Sequence, residues 1–217
     1  MPGKRPGAKG AEHRLEAALA ALADGLNEAG APWMVIGGVA VIARGVRRMT
    51  TDVDAVVRGG AVSVAVLLRA LARHQILPRI DDAAAFAASN LVVLLRHQPS
   101  GVDLDVSLGW TLFEHEAIES STSARFGSIV VPMARAEELV VFKLVAARPK
   151  DVEDVVALLL TNPRLGIAGI RRRLVSLAES IDEPALVEAL EAALKAARGP
   201  RGVGPRGKAT TRPRRRR

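Results

Sequence analysis

The sequence contains no cysteine and no tyrosine, and only four phenylalanines and two tryptophans. The missing cysteines exclude disulfides, thiolate metal sites and cysteine nucleophiles together. A cysteine-free chain suits a reducing compartment, and a cytoplasmic location is the expectation. So few rings leave little for stacking on nucleic-acid bases, and Trp33 and Trp110 are expected in the core instead. Long apolar runs are missing too. The stretches 83–88 and 91–95 are far too short to cross a bilayer, so no membrane partner is expected. The basic opening MPGKRPGAKG leads into no apolar stretch, which argues against a secretory leader. The four histidines, His13, His74, His97 and His115, show no paired ligand spacing. His74 and His97 fall near element ends and are expected in solvent.

What the chain does have is 217 residues, 49% of them hydrophobic, enough for one cored domain with a helical appendage. The net charge of +8 is misleading. Residues 1–10 carry three positive charges and residues 198–217 carry nine, with no acidic residue in either segment. Residues 11–197 are left with 19 basic against 23 acidic side chains, a net of −4. The basicity therefore belongs to the ends, and a basic patch on the folded part does not follow. The ends, 1–10 and 199–217, are rich in Gly, Pro, Arg and Lys and read as disordered. The arginine run at 212–217 suits nucleic-acid phosphates through counterion release. A solubilising terminus explains that run equally well.

Periodicity supplies the elements. Leu15, Leu19, Leu22 and Leu26 predict a helix over 11–29, ended by Gly30 and Pro32. A strand over 33–36 runs into Gly37-Gly38 and then a short helix at 39–44. A strand over 50–57 and a helix over 62–73 follow. Strands are predicted at 91–95, 102–108 and 127–131, the last closed by Pro132, with a helix at 110–120. The Ser120-Ser121-Thr122-Ser123 cluster reads as a loop. Four helices finish the chain, at 136–147, 151–160 with Asp151 as its cap, 167–179 and 183–197. Strands mixed with helices first, and helices alone later, give an α/β (α+β) class. The expected layout is a small mixed sheet with flanking helices over 11–132 and a helical part over 133–198.

Two aspartate pairs carry the chemistry. Asp52 and Asp54 sit at i and i+2 of a strand and so project from one face. Like charges this close repel, and burying them unpaired is costly. A hard divalent cation such as Mg²⁺ relieves that cost through carboxylate oxygens, keeping other positions for water and phosphates. Asp103 and Asp105 repeat the spacing on a second strand. If the two strands are neighbours, their acidic faces meet and supply a third carboxylate, which a two-metal site requires. The plainer alternative is that each pair is a solvated strand edge. Gly37-Gly38 follows a strand and opens a helix, a turn in which backbone N–H groups can approach a phosphate. A tight turn alone explains two glycines equally well.

Taken together, Gly37-Gly38-Val39-Ala40-Val41, Gly45 and Arg48-Met49-Thr50-Thr51-Asp52-Val53-Asp54 resemble the signature of the DNA polymerase beta superfamily of nucleotidyltransferases. The branch they are most similar to is that of the AbiEii-type and minimal nucleotidyltransferases, several of which are toxins of toxin–antitoxin pairs. Asp105-Val106-Ser107-Leu108-Gly109 resembles the third-carboxylate strand, with Asp105 rather than Asp103 in the role. Glu137-Glu138-Leu139 with Lys143, and Arg148-Pro149-Lys150-Asp151-Val152-Glu153-Asp154, resemble a later helix pair. The likeness spans roughly residues 15–162. It implies a nucleotidyltransferase-like fold and a transferase moving NMP from an NTP to a hydroxyl acceptor. The acceptor is a tRNA or other RNA, a protein or a small molecule, and a cognate antitoxin is an implied partner. It implies Asp52, Asp54 and Asp105 as ligands of two Mg²⁺ ions, with Mn²⁺ as the alternative. Lys143 would neutralise phosphate charge, its alternative being a surface lysine lying along its helix. Gly37, Gly38, Arg48 and Thr50 would hold the nucleotide, with Arg48 either on a phosphate or paired to an aspartate. Asp154 could hold Lys143 in place. The competing reading is a catalytically inactive nucleotidyltransferase-like protein used for binding or as an antitoxin.

Overall fold

The computed structural model describes residues 8–199. Of the ends expected to be disordered, 1–10 and 199–217, residues 1–7 and 200–217 lie outside the described residues, and residues 8–10 are helical, opening α1. Helix α1 (Ala8–Ala29) buries Leu15, Leu19, Leu22 and Leu26 along one stripe. Strand β1 (Trp33–Ile36) passes without a loop into helix α2 (Gly37–Ala43). Then come β2 (Asp52–Arg58) and α3 (Val64–Arg73), the latter capped by Ser63, whose hydroxyl accepts from the Val66 N–H at 3.3 Å. The middle of the chain holds β3 (Ile76–Pro78), α4 (Ala83–Asn90), β4 (Val92–His97) and β5 (Val102–Gly109). Helix α5 (Leu112–Glu119), β6 (Thr122–Phe126) and β7 (Ile129–Met133) complete the sheet region. Helices α6 (Ala136–Ala146), α7 (Pro149–Thr161), α8 (Ile167–Ile181) and α9 (Ala185–Arg198) pack on one another.

The seven strands form one mixed sheet in the order β3-β4-β5-β2-β1-β7-β6. The α/β class read from the sequence is the one observed. The centre of the sheet matters most. β2 runs antiparallel to β1 and parallel to β5, and the β2–β5 register pairs Asp52 with Asp103 and Asp54 with Asp105. Val53 and Ala55 on β2 and Leu104 and Val106 on β5 are fully buried, with α1 packed across both strands. The pleat turns the four aspartates to the opposite face.

Several expectations need correction. β3, α4 and β6 escape sequence periodicity. β3 has three residues, and α4 is alanine-rich with no apolar stripe. The Ser-Thr cluster is not all loop, because Thr122 and Ser123 begin β6, which pairs antiparallel with β7. Pro132 does not close its strand but lies inside β7, where β1 is registered only at Met133. Asp151 is not a cap. Arg148 occupies the cap of α7, Pro149 starts its first turn, and Asp151 is buried within that turn. His97 is buried rather than solvated, its Nδ1 2.8 Å from the Ser100 hydroxyl. Trp33 is core, but Trp110 is 62% exposed just beyond the end of β5.

Candidate active site

The site is built where β1 hands over to α2, beside the first residues of β2 and β5. Ile36 is registered with Asp54, so the Gly37-Gly38 turn emerges directly over that carboxylate. Gly37 sits at φ +63°, a left-handed conformation that costs little only for glycine. A Cβ there would fall 1.8 Å from Asp54 Oδ2. At Gly38 a Cβ would fall 2.4 Å from Thr50 Oγ1. The missing side chains thus let Asp54 and Thr50 pack directly against the turn, where a Cβ would collide with them. Thr50 in turn donates its hydroxyl to Asp52 Oδ1 at 2.7 Å. Beside Thr50, a cleft of about 260 Å³ is lined by Leu15, Ile42, Arg48 and Met49 among others.

The electrostatics of the carboxylates are uneven. Burial pushes the Asp54 carboxyl above the ordinary carboxylate range, and the neighbouring charges of Asp52 and Asp105 push it further. Lys143 and the Gly38 backbone N–H oppose this without reversing it. Asp105 is also raised, by burial first, although Arg79 lies on it and acts the other way. Asp103 is lowered, chiefly by the hydrogen bond from Arg96 Nε at 2.7 Å. Buried or half-buried anions with like charges alongside are poorly compensated by the protein itself.

A second ionic cluster stands next to this one. Lys143 on α6 is buried, with Nζ 2.6 Å from Asp151 Oδ1 and 3.0 Å from Asp154 Oδ2. Arg148 Nε meets Asp151 Oδ2 at 2.5 Å, and Arg48 pairs with Asp154. The surface-lysine alternative is thus overturned: Lys143 is an interior cation committed to two carboxylates, and Asp154 does hold it. Of the two partners open to Arg48, an aspartate is the one observed. Burial tends to raise Asp151, but the hydrogen bonds from Arg148 and Lys143 outweigh it and leave the carboxyl lowered. The two clusters feel each other, since Lys143 acts on Asp54 and both Asp52 and Asp54 act on Arg148.

The fold therefore brings together Gly37, Gly38, Thr50, Asp52, Asp54 and Asp105, and sets Arg48 and Lys143 beside them in the second cluster. Among the described residues, no three His, Cys, Asp or Glu side chains are already converged as a metal-ligand group. Two arginines that periodicity did not single out also belong here. Arg148 joins the second cluster, and Arg79 sits on the third carboxylate. Arg79 follows β3, whose three residues left no signal, while Arg148 entered only as part of the run 148–154 that carries the resemblance.

No protein-family model and no curated relative matches the chain. Solved structures do resemble it. The crystal structure of ANT(2'')-Ia in complex with adenylyl-2''-tobramycin matches with a TM-score of 0.50 at 16% identity, over 83% of this chain and 99% of that one. The solution structure of the antibiotic-resistance factor ANT(2'')-Ia gives 0.49 at 16% identity, over 86% and 94%. An antigenic nucleotidyltransferase-like protein from Paracoccidioides brasiliensis gives 0.49 at 15% identity, over 83% and 93%. The likeness is one of fold, to ANT(2'')-Ia.

Proposed function

We propose that the protein is a metal-dependent nucleotidyltransferase that moves a nucleoside monophosphate from an NTP to a hydroxyl acceptor and releases pyrophosphate. The observation that supports this best is the register of β2 on β5, which sets Asp54 beside Asp105 directly below the Gly37-Gly38 turn. The residues fit a hard divalent cation. Their donors are carboxylate oxygens, and burial together with the charges of Asp52 and Asp105 raises the Asp54 carboxyl. Asp52, Asp54 and Asp105 would hold Mg²⁺, with Mn²⁺ as a substitute. When bound, the cations supply charge neutralisation for the transferring phosphoryl group and polarise the acceptor hydroxyl.

The chain's own residues do the rest. The Gly37-Gly38 turn and Thr50 would border the triphosphate, with the Gly38 N–H also holding Asp54. Thr50 also fixes Asp52 in one rotamer. Arg148, exposed at one edge of the second cluster while paired to Asp151, would supply positive charge toward the phosphates. Lys143 contributes its field to Asp54 while holding α6 to α7, so its part is positioning rather than contact. Asp105 would help deprotonate the acceptor hydroxyl. Transfer of this kind depends more on positioning and charge than on covalent catalysis.

The test is incubation of the protein with labelled NTPs and Mg²⁺ against tRNA, protein and aminoglycoside acceptors. Label transfer that disappears in Asp54→Ala supports the enzyme. NTP binding without turnover on any acceptor overturns it in favour of the inactive binding protein. The signature Arg48-Met49-Thr50-Thr51-Asp52-Val53-Asp54 further supports a toxin with a cognate antitoxin. Induction that arrests growth in the wild type and spares cells carrying Asp54→Ala supports that role; equal growth in both overturns it.

A further inference from the structure

The third carboxylate already has a cation. Arg79 Nη2 pairs with Asp105 Oδ1, while Nη1 of the same guanidinium stands 3.4 Å from Asp103 Oδ2. Asp103 is gripped on its other oxygen by Arg96. The run Arg96–Asp103–Arg79–Asp105 thus lies along one face of the sheet. The backbone of Arg79 is fixed, because Pro78 precedes it and its N–H donates to the Leu94 carbonyl at 2.9 Å. Only the side chain is free to relocate.

We propose that Arg79 is the resident counter-ion of Asp105, and that a divalent cation binding with Asp52 and Asp54 competes with it and shifts it toward Asp103. The inference rests on the cation-site reading given above. Three features carry it. A guanidinium on Asp105 and a divalent ion on the same carboxylate place like charges a few ångströms apart, so each weakens the other's hold on it. The second station is ready, since Asp103 Oδ2 already faces Nη1 and a rotamer change suffices. The backbone bond to Leu94 also holds Arg79 in place, so the move needs only its side chain. Arg79 therefore tunes cation affinity, with Asp103 as its parking place.

The experiment measures Mn²⁺ binding to the full nucleotide-free chain by electron paramagnetic resonance of the free ion, with circular dichroism confirming that each variant folds. Arg79→Gln is expected to bind Mn²⁺ about tenfold more tightly than wild type, the ordinary scale of coupling between linked sites. Arg79→Lys keeps the charge and should stay near wild type. Asp103→Asn is expected to weaken binding, and to have less effect when Arg79→Gln is already present. Arg96→Gln removes the same charge from the same face without touching Asp105, and should shift affinity far less than Arg79→Gln. Equal gains for Arg79→Gln and Arg96→Gln reduce the effect to general electrostatics and overturn the proposal. Unchanged affinity in Arg79→Gln overturns it while leaving the cation site standing. Absence of Mn²⁺ binding in every variant overturns both.

Discussion

Two ionic clusters lie side by side in this fold, and their bookkeeping differs. In the helical one, three cations, Arg48, Lys143 and Arg148, face two carboxylates, Asp151 and Asp154, and every charge has a partner. In the sheet one, four carboxylates of β2 and β5 share two arginines, and Asp52 and Asp54 have no cation in contact among the described residues. The first cluster is closed and holds α6 against α7. The second is anionic and short of counter-charge at the end where Asp54 packs against the glycine turn. A buried charge that is paired serves the fold; one left short of counter-charge is an appeal to a ligand.

The largest effect should come from breaking the open cluster. Asp54→Ala is expected to lower transferase activity by about 10³-fold or more, while leaving the protein folded. Activity assays beside thermal melts decide this. Retained activity would remove Asp54 from the chemistry. Breaking the closed cluster should do the reverse of a clean active-site lesion. Lys143→Ala leaves Asp151 and Asp154 buried without their shared cation, and is expected to cost about 3–5 kcal/mol of stability by denaturant titration. A Lys143→Ala protein as stable as wild type would show that Arg48 and Arg148 suffice for both carboxylates.

The sequence made the open cluster more legible than the closed one, for a physical reason. Strand alternation fixes the face of Asp52, Asp54, Asp103 and Asp105 from spacing alone, and only the pairing of β2 with β5 had to come from the fold. Residues 33–36 likewise matched β1 to the residue, because four apolar residues between Pro32 and Gly37 admit little else. The closed cluster depends on α6 meeting α7 and on Arg48 reaching across from the β1–β2 connection. Side-chain spacing within one helix does not encode that meeting. Asp151 looked like a cap because a cap and a first-turn aspartate differ by only two or three positions. Trp110 was misplaced because aromatic residues in a small protein default to the core. It lies five residues beyond Asp105, about 16 Å along the strand direction, so it is no part of the site.

A smaller effect should sharpen the contrast at the hinge between the two clusters. Gly37→Ala puts a methyl against Asp54 Oδ2 and forces alanine into a left-handed backbone. The strain alone is expected to cost about 1–2 kcal/mol. Activity should fall by more than that strain implies, by about 10²-fold, since the Asp54 carboxylate must also move. A loss of stability with full activity would mean that the packing of Asp54 against the turn does not matter to the chemistry.

The smallest effect is one of pH, and it has opposite signs in the two clusters. Asp54 is raised in the folded protein, so between the ordinary carboxylate value and its raised one the folded state binds more protons than the unfolded state. Stability attributable to Asp54 is therefore lost as pH rises through that window. Asp151 is lowered by Arg148 and Lys143 against the effect of its burial, so its contribution is present above the ordinary carboxylate value and is lost as pH falls through the folded one. Asp54→Asn is accordingly expected to raise the melting temperature of the metal-free protein at neutral pH, with the gain vanishing toward pH ~4. Asp151→Asn is expected to lower it at neutral pH. Addition of Mn²⁺ should reverse the first comparison, since only the wild type gains stability by binding the ion. If Asp54→Asn is no more stable than wild type without metal, the carboxylate is already compensated within the protein, and the contrast between an open and a closed cluster fails at its central residue.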